Sequence, residues 1–346
     1  MRDVNRGAWE FALKTDSART GWRPVLPTEA LWGPIAKIVP FVAAWLGLTD
    51  PEQGHYLTAA SAGHGVAALE HLESDDFFKE MEESGMARSS RAVGLHSAQT
   101  APIAHRSWAR HWGPAGYRGG LALPLAARDG RSLGLMTLHT NSTVQPDDVA
   151  RDLIGGLAPA ISDAVDPMYT VTTLIGLVEE PRAGVVVTRD GQAREVPGLP
   201  LHPALETRSA LMRAALARLS QQRTSANFLC PWRGPGVSDC LVRVTAITCP
   251  QDLPPYLTAL VLISSPGYLH ALTRRELEVL GLLIEGYPNS QIASTLFITG
   301  RTVAAHLEHI RAKMHAATRT GAAVESLRKG LYIPLELFNG RHLFPD

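Results

Sequence analysis

Apolar residues recur at helical spacing near the C-terminus and at strand spacing over much of the rest of the chain. From Thr273 onward, Leu277, Leu280 and Ile284 fall on one helical face. Thr273 can accept from the exposed N–H groups of the first turn while Glu276 reaches back, the capping-box arrangement. Gly286 can take the left-handed conformation that ends a helix, and Pro288 follows where its missing N–H costs little in a new first turn. A short second helix is predicted from about Asn289 to Leu296. Thr299 can cap a third, whose Val303, Leu307, Ile310 and Met314 form one apolar stripe. Arg301, Ala305, Glu308, His309 and Ala312 point away from that stripe, with Thr302 and Ala304 flanking them. The tight turn before the third helix makes this a helix-turn-helix, with the outward face free to meet a DNA groove.

Upstream, residues 119–140 hold two extended runs around Asp129-Gly130, a dipeptide that supplies the positive φ of a tight hairpin. Asp147 and Asp148 suit a first helical turn, and Val149, Leu153, Leu157 and Ile161 recur every four residues behind them. Residues 29–47 read as an apolar helix bent near Pro40, and the segment from Ser74 as a short capped helix. Residues 183–198 repeat the strand-turn-strand pattern around Asp190-Gly191, followed by a helical segment from Pro203 to Gln221 and strands at 240–248 and 256–264. The expected fold class is therefore α+β: antiparallel-sheet domains with packed helices, followed by an all-α domain.

The C-terminal segment resembles the LuxR-type helix-turn-helix family through LTxRExEVLxLL from Leu272, GxxNxxIAxxLxI from Gly286 to Ile298, and RTVxxHLxxIxxKM from Arg301 to Met314. The resemblance implies a four-helix module that binds double-stranded DNA as a homodimer. Its third helix (300–314) would enter the major groove and its fourth (319–329) would contribute dimer contacts. The chain departs from the pattern at Pro288, where a small polar residue is common, and at Ala304, where a charged or polar one is. The expected DNA-binding set is Thr299, Arg301, Thr302, Ala305, His306, His309, Arg311 and Lys313. Arg301 and His309 are the best candidates for groove contacts, Thr302 either donates to a base or holds the cap, and Arg311 and Lys313 are assigned to phosphate. From Leu272 to Leu331 the charge is only +3. Phosphate neutralisation alone then gives modest affinity, and dimerisation on an imperfect inverted repeat is expected, with half-sites roughly 34–36 Å apart.

The hairpin and closing helix resemble the end of a GAF domain, which implies an effector pocket within residues 29–166. Trp108, Trp112 and Tyr117 either line that pocket or anchor a long loop. Gly155, Gly156, Ala158 and Ala160 would permit close approach of a second helix. Residues 167–265 resemble a PAS-like domain in order and size, and the whole layout resembles actinobacterial-style LuxR-type regulators. The expected organisation is an extension (1–28), a GAF-like domain (29–166), a PAS-like domain (167–265), the helix-turn-helix domain (266–333) and a tail (334–346). Ser264 to Ala271 forms the link to the DNA-binding domain.

Composition narrows the alternatives. The 346 residues are 45% hydrophobic and 19% charged with no net charge, which suits a folded protein with two or three cores. No run approaches a membrane span, and the N-terminus lacks the apolar core of a signal peptide, so a cytoplasmic protein with no membrane partner is expected. Cys230, Cys240 and Cys249 fit no disulfide or CxxC framework, and the histidines, among them His55, His64, His71, His96, His105, His111 and His139, fit no HxxxH or HExxH spacing. No metal or cofactor is expected. Phosphate-loop, nucleophile-elbow and dinucleotide motifs are also missing, so no catalytic residue is assigned. The remaining readings are a regulator that acts mainly through protein contacts, its DNA helix weakened by Ala304 and Ala305, and an enzyme with a site invisible in sequence. A small-molecule effector and RNA polymerase are the other candidate partners.

Overall fold

The computed structural model describes Trp22 and residues 28–86, 91–95, 105–220, 224–232 and 240–338. Most of the predicted extension (1–28), His96, and the tail beyond Phe338 lie outside the described residues. The chain divides into two compact units, Met1–Tyr169 with Pro250–Tyr256, and Thr170–Cys249 with Leu257–Asp346.

The first unit runs α1 (Thr28–Ile38), β1 (Ala43–Asp50), β2 (His55–Ala62), α2 (Val66–Leu72), α3 (Asp75–Glu83), β3 (Val93–Gly94), α4 (His105–Ser107), β4 (Gly119–Ala126), β5 (Ser132–Thr140) and α5 (Asp148–Val165). Its five strands form an antiparallel sheet ordered β2-β1-β5-β4-β3. The predicted 29–47 helix is corrected here: α1 stops at Ile38, and Ala43 to Gly47 belong to β1. β1 pairs with strands on both sides and is buried almost throughout, so its apolar run lacks the alternation that separates a strand from a buried helix. The sheet is covered on both faces. Leu46, Leu123, Met136 and Leu138 pack with Trp32, Ile35, Ile154 and Ile161, whereas Trp45, Tyr56 and Leu135 pack with Leu72, Phe77 and Trp112. The period of two therefore places Leu135, Thr137 and His139 of the central strand on the second face. Asp147 caps α5 by accepting from the Ala150 N–H at 2.8 Å.

α6 (Pro167–Ile175) leads into the second unit, which holds β6 (Pro181–Thr188), β7 (Ala193–Glu195), α7 (Ala210–Leu219), β8 (Ser225–Trp232), β9 (Cys240–Thr248) and β10 (Leu257–Ser264). These strands form an antiparallel sheet ordered β7-β6-β10-β9-β8. α8 (Arg274–Ile284), α9 (Asn289–Thr295), α10 (Gly300–Met314) and α11 (Arg319–Lys329) follow.

Sheet and helices share one continuous core. Leu331 to Leu337, beyond α11, runs between them and is largely buried. The Tyr332 carbonyl accepts from Leu229 N–H on the outer edge of β8 at 2.8 Å, and Ile333 N–H donates to the Leu277 carbonyl of α8 at 3.1 Å. A Cβ on Gly281 would collide with the Ile333 carbonyl, so glycine is what lets α8 approach this segment. Buried Arg218 of α7 reaches Glu285 at 3.2 Å and Glu336 at 3.3 Å, and lies over the Phe228 ring. Arg243 of β9 donates to the carbonyls of Lys329 (2.8 Å) and Pro266 (2.7 Å). The bond from Leu229 to Tyr332 gives a partner to a backbone group of the edge strand β8 that would otherwise be unpaired.

Candidate nucleic-acid interface

The frame of the interface begins at α8. Thr273 Oγ1 accepts from Glu276 N–H at 3.3 Å and Glu276 Oε2 accepts from Thr273 N–H at 2.7 Å, closing the capping box. Glu276 is buried, and both its oxygens also accept from Lys313 Nζ of α10, at 2.9 and 2.7 Å. Burial pushes this carboxyl up, but the bonds from Lys313 and Thr273 outweigh it and hold it below the ordinary glutamate value. Arg275 donates to the Leu296 carbonyl at 2.7 Å, pinning the start of the α9–α10 turn. In that turn Phe297 takes φ 55° and is 95% exposed. Pro288 stands as the N-cap of α9, with no side-chain bond of its own. Arg319 of α11 meets Asn289 Oδ1 (2.9 Å) and the Tyr287 carbonyl (2.7 Å).

α10 starts as its sequence implies. Thr299 Oγ1 accepts from Thr302 N–H at 3.1 Å, and the two hydroxyls lie 2.8 Å apart, so Thr302 belongs to the cap. Val303, Leu307, Ile310 and Met314 are all buried. Arg301, Ala304, Ala305, Glu308, His309 and Ala312 are exposed, and Thr302, His306, Arg311 and Lys313 are half-buried. Among the described residues, Arg301 and His309 make no side-chain hydrogen bond or ion pair, leaving a planar five-donor cation and an imidazole open on one face. Arg311 is bonded to Glu308 Oε1 at 2.9 Å and to the Ala317 carbonyl at 2.7 Å. Sequence reasoning missed the tie between Lys313 and Glu276, whose partners lie 37 positions apart and carry no local signal. On α11, Ala322 and Ser326 face inward while Val324 is exposed.

The family match and two curated relatives fall on this same segment. The family described as bacterial regulatory proteins, luxR family, matches residues 270–326. Those residues are a LuxR-type helix-turn-helix domain. They include α8 to α10 and most of α11, and stop short of the Leu331–Leu337 segment. Over 62 residues the chain is 48% identical to the transcriptional regulatory protein DegU of Brevibacillus brevis, covering 18% of this chain and 26% of DegU. Over 61 residues it is 46% identical to LiaR of Bacillus subtilis strain 168, covering 18% of this chain and 29% of LiaR. The chain thus spans little more than a quarter of the length of these two curated relatives. A solved structure of the Vibrio cholerae VqmA dimer, 18% identical, covers 49% of this chain and 92% of its own at a TM-score of 0.26, too loose a superposition to bear on this fold.

The other residues marked in the sequence lie elsewhere. Trp112 is buried in the first unit and Tyr117 Oη meets His64 Nδ1 at 3.2 Å. On α5, Gly155 and Ala158 are half-buried, whereas Gly156 and Ala160 are exposed beside Val149 and Leu153. Burial pushes the Cys230 and Cys249 thiols up to about 12, the behaviour of inert rather than reactive cysteines. Among the described residues no group of three or more His, Cys, Asp or Glu is placed to hold a metal, and no helix is long and apolar enough to cross a membrane.

Proposed function

We propose that the chain is a cytoplasmic transcriptional regulator that binds double-stranded DNA as a homodimer through the outward face of α10. The observation that carries this reading is that α10 is locked on its inner stripe and at its cap while Arg301 and His309 stand open on the other side. Arg301 is suited to a bidentate contact with a guanine edge, and His309, two turns further on, extends the same face. Thr299 and Thr302 position the helix start, Ala305 and His306 lie along its flank, and Arg311 at the far end is suited to a phosphate. Lys313 acts from behind the helix, holding α10 to α8 through Glu276. The exposed flank of α11 around Val324 and the exposed stripe Val149, Leu153, Gly156 and Ala160 of α5 are the surfaces offered to a second copy. The two sheet domains are read as GAF-like and PAS-like sensors, the first taking a small-molecule effector.

The test is selection of genomic DNA fragments by the purified full chain. Recovery of a two-fold symmetric motif supports the reading. Failure to enrich any motif, together with specific retention of a protein partner, would favour the regulator that works through protein contacts.

A further inference from the structure

The second face of the first sheet holds a cavity that the DNA-binding reading does not use. Phe77, Met81, Trp108 and Trp112 form apolar walls, and Glu80, Thr137 and His139 supply polar ones. The unfilled space along these walls, open solvent at the mouth included, is about 280 Å³. Its enclosed part has room for little more than a water molecule, so a larger occupant has to displace side chains of the cover. Part of that cover, Trp108 to Trp112, is a π-helical turn with Gly113 N–H bonded to the Trp108 carbonyl, a backbone form that recurs at functional sites.

Two of these polar groups, Thr137 and His139, have nothing to bond among the described residues. Thr137 and His139 are each 1% exposed, yet among the described residues Thr137 Oγ1 and both ring nitrogens of His139 lack a hydrogen-bond partner. Buried polar atoms in this condition cost stability unless something supplies the missing bonds. His139 is packed among the rings of Trp112 (centroids 4.7 Å), Tyr117 (4.8 Å) and His64 (5.1 Å), and His64 leaves its Nε2 unpartnered as well. Burial, with a smaller contribution from neighbouring His64, holds His139 well below the ordinary histidine value, so its ring is neutral and presents one donor and one acceptor. The buried Glu80 carboxyl accepts from Ser107 N–H (3.1 Å) and Oγ (2.6 Å), and none of the described lining residues is Lys or Arg. An anionic ligand would therefore meet a carboxylate with no compensating cation.

We propose that this cavity binds a small, uncharged nitrogen heterocycle whose ring packs against Trp112 and Phe77 and whose donor and acceptor atoms bond His139 and Thr137. The inference deepens the sensor reading of residues 29–166 and rests on it, but it is tested without DNA, so either can fail alone. The probe is benzimidazole, within a panel of neutral one- and two-ring nitrogen heterocycles, added to the full chain and followed by calorimetry and tryptophan fluorescence. Indene, of the same shape without polar atoms, and benzoate, an anion, are the controls. Benzimidazole or another heterocycle of the panel is expected to bind at least about tenfold more tightly than indene, and benzoate not at all. Thr137→Val is expected to weaken that binding by about tenfold while leaving the free protein as stable or more so, because it removes an unbonded hydroxyl. His139→Leu gives a second variant at the site. No binding by any heterocycle at millimolar concentration overturns the proposal. So does equal binding of indene, or unchanged affinity in Thr137→Val, since the buried groups would then serve an ordered water only.

Discussion

The two five-stranded sheets have the same strand order relative to the chain, with the first, fourth and fifth of their strands at the centre and the third at one edge. Their central strands nonetheless carry different chemistry. β10 sends Ala259, Val261 and Ile263 into one apolar core, and that core continues through Leu331 and Ile333 into the DNA-binding helices. β5 sends Leu135, Thr137 and His139 to one face, and the last two have no hydrogen-bond partner there among the described residues. One topology thus serves as a rigid mount in one unit and as a chamber with unmet hydrogen bonds in the other. The difference lies in two side chains on the central strand and in what covers the sheet.

Removing the mount should have the largest effect. Ile333→Ala deletes a fully buried side chain between sheet and helices and is expected to cost about 2–5 kcal/mol. Calorimetry with hydrogen exchange should show the β6–β10 sheet and the α8–α11 helices losing stability together while the first unit keeps its own; loss confined to the helices would mean that the shared core does not couple them.

Acid should separate the two regions next. Burial holds His64 down to about 4, so between that value and the 6.5 of a free histidine the unfolded chain binds more protons than the folded one. Stability of the first unit is full above 6.5 and falls as pH drops toward 4, by about 3 kcal/mol for this histidine alone. Glu276 has a lowered value, so its contribution to the second unit is present above the ordinary 4.5 and is lost only as pH falls through that lowered value. Acid titration of the two unfolding transitions should therefore show the first unit weakening earlier.

A smaller effect tests the joint between α8 and α10. Lys313→Ala leaves the buried Glu276 carboxylate with only its Thr273 bonds and should lower stability by about 1 kcal/mol. Thermal melts and DNA titrations at several salt concentrations separate this from phosphate contact, which would instead reduce the salt dependence of binding with the melt unchanged.

The DNA-binding helices were legible because every device that makes them is local. Capping residues, a positive-φ glycine and a stripe of Val303, Leu307, Ile310 and Met314 all lie within one or two turns of what they act on. Strands β1, β2 and β8 escaped because central or doubly covered strands lose the alternation that marks a half-buried one. Leu331 to Leu337 read as the end of a domain and a tail because its partners, Leu229 and Leu277, are distant in sequence. The chamber escaped for the same reason: Thr137 and His139 look like ordinary strand residues until α3 and the Trp108–Trp112 turn close over them.

If the outward face of α10 reads DNA sequence, as proposed, Arg301 carries much of that reading. The most direct measurement is the affinity of wild type and Arg301→Ala for a selected operator and for a scrambled duplex, at matched salt. Arg301→Ala is expected to lose about 1–3 kcal/mol on the operator and little on the scrambled duplex, with an unchanged melting curve. Equal losses on both duplexes would contradict it.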